Sequence, residues 1–174
     1  VRILISATED FSGILYEKEG RELCSNETKL DFFPEPCTRY YWRVTVTADN
    51  GETASSKPAF FETGKMNQPW TARWIGASRE DTFHPVLTKQ FSIGKRIKKA
   101  RLYICGLGLY EAYVNGKKAG NEYLAPFLND YEACYQYQTY DVTRLLKDFA
   151  AGEKKCENQE LEEENTIEIL LGKG

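Results

Sequence analysis

Histidine and methionine each occur once in these 174 residues. The single His84 stands in "TFHPV" with no G-x-S-x-G or comparable nucleophile context, so no serine-hydrolase triad is singled out. No apolar run approaches the roughly 18 to 20 residues that cross a bilayer, which leaves no membrane-spanning segment to propose. Positive charge is not in excess: 23 Lys and Arg face 26 Asp and Glu, a net charge of −3. That balance lacks the basic footprint of a nucleic-acid binder. The chain opens on "VRILISA" without the basic start, apolar core and small-residue cleavage site of a signal peptide. The compartment, cytoplasmic or periplasmic and secreted, stays open.

Metal and phosphate chemistry are equally thin. Cys24, Cys37, Cys105, Cys134 and Cys156 are odd in number and lack C-x-x-C spacing, which argues against a zinc or thioredoxin-like site. They read as buried or free thiols, with Cys24–Cys37 the alternative disulfide. Asn26-Glu27-Thr28 matches a glycosylation sequon, relevant only in a eukaryotic secretory pathway. "GLGLYEAY" contains G-x-G but lies in a strand pattern and opens no helix, so it cradles no phosphate. The carboxylates Glu160, Glu162, Glu163 and Glu164 read as a solvated charge run rather than a glycosidase acid–base pair.

What is present is β structure. Aromatics make up 13% of the chain, with 11 Tyr, 9 Phe and 13 Gly, the flavour of half-buried strands joined by tight turns. In "YYWRVTVT" Tyr40, Trp42, Val44 and Val46 share one face, and Asn50-Gly51 supplies a hairpin turn from which "AFFET" returns. "VRILISA" and "KLDFF" (29–33) complete a first unit of several short strands, a small β-sandwich over residues 1–64. Residues 65–73 read as a linker, and Trp70 and Trp74 there as domain-interface aromatics. A second antiparallel unit, 74–174, is expected to be a sandwich or jelly roll. It has "PVLTKQFSI", a long strand over 100–116 bent at Gly106 and Gly108, an Asn115-Gly116 hairpin, "CYQYQTYDV", and one short helix in "VTRLLKDF". Asp141 or Thr143 is the expected cap of that helix. The fold class is therefore all-β, two antiparallel β-domains. "TIEILLGKG" runs to the C-terminus with nothing after it, so a piece of a longer protein is expected. Its last sheet should be incomplete and expose an edge strand through which the chain could dimerise.

Two features point towards recognition. Seven tyrosines, from Tyr110 to Tyr140, offer flat apolar faces and hydroxyls of the sort that suit sugars. Asn121, Glu122, Asn129 and Asp130 form an oxygen-rich loop set of the kind Ca²⁺ wants, though without EF-hand spacing. Packing and turn chemistry also account for both features.

From residue 100 the wording becomes specific. "LGLYEAYVNG" (107–116), "AGN" (119–121), "LAPFLNDY" (124–131) and "YQTYDVT" (137–143) follow in the order and spacing of the N-terminal β-domain of bacterial α-L-rhamnosidases, glycoside hydrolase family 78, which this stretch resembles. The preceding "YYWRV…DNGE…FETG" resembles the fibronectin-type-III-like domain ahead of it in that family. The resemblance implies an exo-acting, inverting hydrolase of terminal α-L-rhamnose. Its catalytic residues lie in a downstream (α/α)₆ barrel for which this chain has no room. The chain itself is then expected to be inactive, an accessory to that barrel. A Ca²⁺-dependent rhamnose-binding module and a protein–protein interaction tandem are the alternatives. The resemblance makes Asn121-Glu122 the nearest counterpart of a metal-holding Asp-Asn pair. It also places Asn129, Asp130 and Tyr131 where the family has "TDY", with "FLNDY" replacing "GWTDY" and removing a tryptophan.

Overall fold

The structure is a computed structural model, and it describes residues 1–23, 27–77, 84–93, 97–127, 129–147 and 164–172. The chain divides into two units, Val1–Arg73 and Trp74–Gly174. Every strand pairing described in either unit is antiparallel.

In the first unit, β1 (Arg2–Ser6), β2 (Ile14–Glu19), β3 (Arg39–Thr47), β4 (Thr53–Ser55) and β5 (Ala59–Glu62) form one five-stranded sheet. The long β3 is its spine. β1 pairs along one edge, while β5 and β4 share the other, Tyr40 opposite Phe61 and Val46 opposite Ala54. The strand that returns from Asn50-Gly51 is thus β4, and "AFFET" joins the same edge further along. Only Gly51 takes a positive φ in that turn, at 86°. The strand expected over 29–33 does not form. Pro34 and Pro36 follow it, offering no N–H and holding their predecessors extended, so no ladder is built there. The segment instead lies across the sheet: Phe32 meets Tyr40 edge-on at 5.2 Å and Tyr16 at 5.8 Å. The backbone N–H of Glu35 donates to the Tyr40 hydroxyl. β2, Ile14–Glu19, has no strong alternation and goes undetected by period alone. Cys37 is a free thiol, its Sγ donating to Gln68 at 3.6 Å, so the Cys24–Cys37 disulfide does not form; Cys24 and Asn26 lie outside the described residues.

Among the described residues the second unit has two sheets. One runs β6 (Val86–Ser92), β11 (Glu164–Leu171), β8 (Tyr110–Val114), β9 (Lys117–Lys118), and the other pairs β7 (Arg101–Cys105) with β10 (Tyr137–Asp141). The expected long strand over 100–116 is therefore two strands in two different sheets. The chain crosses between them at Gly106–Leu109, where Gly108 has φ 101° and a Cβ on Gly106 would come within 2.5 Å of the Tyr110 ring. Between the sheets lies a core of Tyr110, Ala112, Val114, Ala119, Ala125, Tyr140 and Val142, flanked by Leu102, Ile104, Ile167 and Ile169. The expected helix in "VTRLLKDF" is only a 3₁₀ turn, Thr143–Leu145, among the described residues. Asp141 accepts the Thr143 N–H but caps no α-helix.

The C-terminal strand is not an edge. β11 is paired on both sides, Ile169 lying between Leu87 of β6 and Ala112 of β8. The edge is β6, and the register puts Lys89 on the face it shares with Leu87 and Phe91, yet leaves it exposed. A charge pointing inward on an edge strand opposes further strand addition. The edge strand of this sheet among the described residues is thus β6 rather than the last strand.

Candidate functional site

The motifs that mark the second unit are occupied with backbone. Asn115 (φ 51°) and Gly116 (φ 73°) both have positive φ, the requirement of a type I′ hairpin. The Asn115 side chain does more than permit the turn. Its Nδ2 donates to Leu145 O and to Asn165 Oδ1, both at 2.8 Å, and its Oδ1 accepts the Thr166 N–H at 2.9 Å. Asn165 is fully buried, and its Oδ1 also accepts the Lys147 N–H at 2.8 Å. These two amides thus lock the hairpin, β11 and the 3₁₀ turn together. "DVT" works likewise: the Thr143 hydroxyl accepts the Ala100 N–H at 2.9 Å and reaches back to the Ala100 carbonyl at 3.3 Å. Asp141 holds Arg101 at 2.9 Å. The hairpin's outward face carries a polar cluster, with Glu111 held by Lys118 at 2.7 Å and by the Tyr113 hydroxyl at 2.6 Å. The Lys118 hydrogen bond, then that of Tyr113, holds the Glu111 carboxyl below its ordinary value. The same bond raises Lys118, whose ammonium lies 3.9 Å from the centre of the Tyr123 ring.

The loop after the hairpin holds the sequence-predicted site. Gly120 has φ 81°, and a Cβ there would come within 2.3 Å of the Tyr140 ring and 2.4 Å of Glu122 Oε2. The Glu122 carboxylate is folded back, accepting the Asn121 N–H at 3.0 Å. Burial pushes the Tyr110 and Tyr140 hydroxyls up, and the nearby Glu122 charge adds to it. The Tyr110 hydroxyl donates to Gln138 Oε1. Asp130 likewise faces its own chain: its Oδ1 accepts the Glu132 N–H at 3.1 Å and its carbonyl the Ala133 and Cys134 N–H groups. Asn129 differs, since its side-chain O and N are both buried without a hydrogen-bond partner.

Among the described residues no group of three or more His, Cys, Asp and Glu gathers around a common point. Glu122 and Asp130 already accept from backbone N–H groups. This donor set fits Ca²⁺ poorly, because a hard cation needs about six to eight converging oxygens.

Sequence order concealed a different cluster. Tyr131 and Tyr135 stack at 6.0 Å with 25° between their planes, and Trp74 stands at 63° to Tyr135, 6.3 Å away. The Tyr131 hydroxyl accepts the Gly108 N–H at 3.0 Å. Trp70 belongs to the first unit, and Lys65 Nζ lies 5.1 Å from its ring centre. His84 Nδ1 lies 3.2 Å from the Leu171 carbonyl, a backbone contact. Glu164 opens β11, while Glu160, Glu162, Glu163 and Cys156 lie outside the described residues. Cys105 is free, and burial pushes its thiol up; Cys134 is free and exposed.

Fold and site together define a tandem of antiparallel β-domains whose marked motifs serve as scaffold. Comparison with known proteins identifies the tandem. The α-L-rhamnosidase N-terminal domain family matches residues 95–174, and the Rha78A-like N-terminal immunoglobulin domain family matches 22–67. Both matches are to the N-terminal region of α-L-rhamnosidases, which this chain resembles along most of its length. An α-L-rhamnosidase of Streptomyces avermitilis is 55% identical over 107 residues, covering 61% of this chain and 10% of that protein. One from Formosa agariphila is 28% identical over 182 residues, covering 90% of this chain and 16% of its own length. The solved α-L-rhamnosidase of Dictyoglumus thermophilum superposes with a TM-score of 0.68 at 27% identity, over 98% of this chain and 20% of that one. The chain thus spans less than a fifth of the length of these curated relatives.

Proposed function

We propose that this chain is a non-catalytic accessory tandem of an α-L-rhamnosidase that removes terminal α-L-rhamnose. Its two β-domains (1–64 and 74–174, joined by 65–73) would buttress a separate catalytic (α/α)₆ barrel or help present rhamnose-containing glycans to it. One observation carries this reading: the residues that spell the family motifs, Asn115, Asp141 and Thr143, bond backbone or a neighbouring ion-pair partner rather than forming a reactive centre. Inverting hydrolysis needs two carboxyl groups about 6.5 to 9.5 Å apart across a cleft, one to protonate and one to activate water. Glu111, Glu122, Asp130 and Asp141 are each engaged locally instead. The purified 174-residue chain is expected to leave an aryl α-L-rhamnoside intact. Release of the aryl group above background would overturn the reading.

A further inference from the structure

We infer that the apolar face of the first unit's sheet, open at Trp42 and Val46, docks a second β-sheet contributed by the parent polypeptide from outside residues 1–174. The inference deepens the accessory reading above and rests on it for the existence of a parent. The two faces of the five-stranded sheet differ in chemistry. One is dressed for water: the Arg2–Glu17 and Arg39–Glu62 pairs close at 2.7 and 2.6 Å, and the Arg43 guanidinium lies 4.5 Å above the Phe11 ring. The register places Ile3, Trp42, Val44, Val46 and Ala54 on the other face. Its Tyr40 end is covered, because Phe32 lies against Tyr40 and Tyr16. Towards the far end of β3, Trp42 and Val46 are 37% and 47% exposed. An antiparallel sheet with one polar face buries its apolar face against another layer.

Topology names the layer. The Tyr40 hydroxyl accepts the Glu35 N–H at 2.7 Å, near the start of β3 and a few residues upstream of it in sequence. That is the tyrosine corner of an immunoglobulin-type sandwich, which marks strand F. With β3 as F, the neighbouring β1 takes the place of C, and β4 and β5 on the other side take that of G. The CFG sheet of such a sandwich packs face to face, about 10 Å away, on a sheet built from A, B, E and D. Among the described residues every strand of the first unit belongs to the CFG-like sheet, and none lies opposite it. The immunoglobulin family match over 22–67 takes in the same corner.

A parental strand pair suits this face better than a second copy does. Ile3, Trp42, Val44, Val46 and Ala54 are few beside the roughly 20 to 30 residues a side of a stable protein interface. The chain spans 16% of the Formosa agariphila protein and 20% of the Dictyoglumus thermophilum one, so the remaining length of such proteins has ample room for two short strands. Their apolar side chains would turn towards Trp42 and their polar ones to water.

Hydroxyl-radical footprinting read by mass spectrometry compares the 174-residue chain with its full-length parent. Trp42 is expected to oxidise readily in the chain and to lose most of that reactivity in the parent, with Tyr41 on the opposite face unchanged. In the parent, Val46→p-benzoylphenylalanine should photo-crosslink to a segment outside residues 1–174. Equal oxidation of Trp42 in the two proteins would overturn the inference. So would a crosslink to residues 74–174 or to a second copy. A protected Trp42 in the parent of a chain that itself hydrolyses aryl rhamnosides would keep the docked sheet and sink the accessory reading. An inactive chain whose Trp42 reacts alike in both proteins would do the reverse.

Discussion

Asn115 performs two tasks that different residues could each do only in part. Glycine would accept its φ of 51°, and another polar side chain could reach one of its partners. Only an amide supplies donors to Leu145 O and Asn165 Oδ1 and an acceptor to Thr166 N–H at once. Asn115→Ala should cost about 2 to 4 kcal/mol in urea unfolding, from the strained φ and the orphaned buried partners. Asn115→Gly should recover the conformational part but not the bonds. Gly120 makes the converse case. A methyl at φ 81° would meet the buried Tyr140 ring and the Glu122 carboxylate, so Gly120→Ala should cost about 1 to 3 kcal/mol by the same measurement. Glu111 has a pH signature. Its folded carboxyl titrates below the ordinary 4.5, so its contribution to stability is fully present above that pH and fades as pH falls through the lowered folded value. The stability gap between wild type and Glu111→Gln should therefore narrow on acidification below about pH 4.5. A gap constant down to strongly acid pH would contradict the Lys118 and Tyr113 assignment.

At the scale of elements, the sheet edges decide association. β6 is seven residues long with one side unpaired among the described residues, and Lys89 points to the face that carries Leu87 and Phe91. Lys89→Val removes that inward charge and lengthens the apolar stripe. Self-association of the variant should rise in sedimentation while wild type stays monomeric; equal behaviour of the two would show that another feature guards the edge. The β7–β10 pair is barer, a two-stranded sheet whose inner residues Leu102, Ile104 and Tyr140 pack on the larger sheet. Two strands alone are marginal in water. The Thr143 clamp on Ala100 and the Arg101–Asp141 pair staple their shared end. Thr143→Val keeps the shape and loses both hydroxyl bonds, so it should cost about 1 to 2 kcal/mol and speed hydrogen exchange at Ala100 first.

At the scale of the whole molecule, the order of β-domains is that of the N-terminal region of the α-L-rhamnosidases it resembles. Strand period and turn chemistry made much of this readable. Alternation in "YYWRVTVT" and "PVLTKQFSI" and the Asn-Gly turn needed only local rules, and they correspond to β3, β6 and the β8–β9 hairpin. Where reading failed, a non-local contact or a missing donor was the cause. "KLDFF" has strand composition, but the prolines that follow deny it a ladder. "ARLYICGLGLYEAYVNG" has one continuous pattern, but Gly106 lets the chain pass close to Tyr110 and change sheets. The aromatic corner was invisible because Trp74 and Tyr135 are far apart in sequence and only the fold makes them neighbours.

By itself the sequence determined the all-β class, the turns, the paucity of catalytic groups and the family wording, because each of these depends on residues a few positions apart or on composition. The tertiary structure decided which strands share a sheet, that the last strand is central rather than an edge, and that the marked asparagine and threonine serve the backbone. It also decided that the tyrosines divide between core and an exposed corner. These outcomes rest on contacts between segments tens of residues apart, whose pairing is fixed by burial and hydrogen-bond satisfaction across the whole unit and by no local pattern.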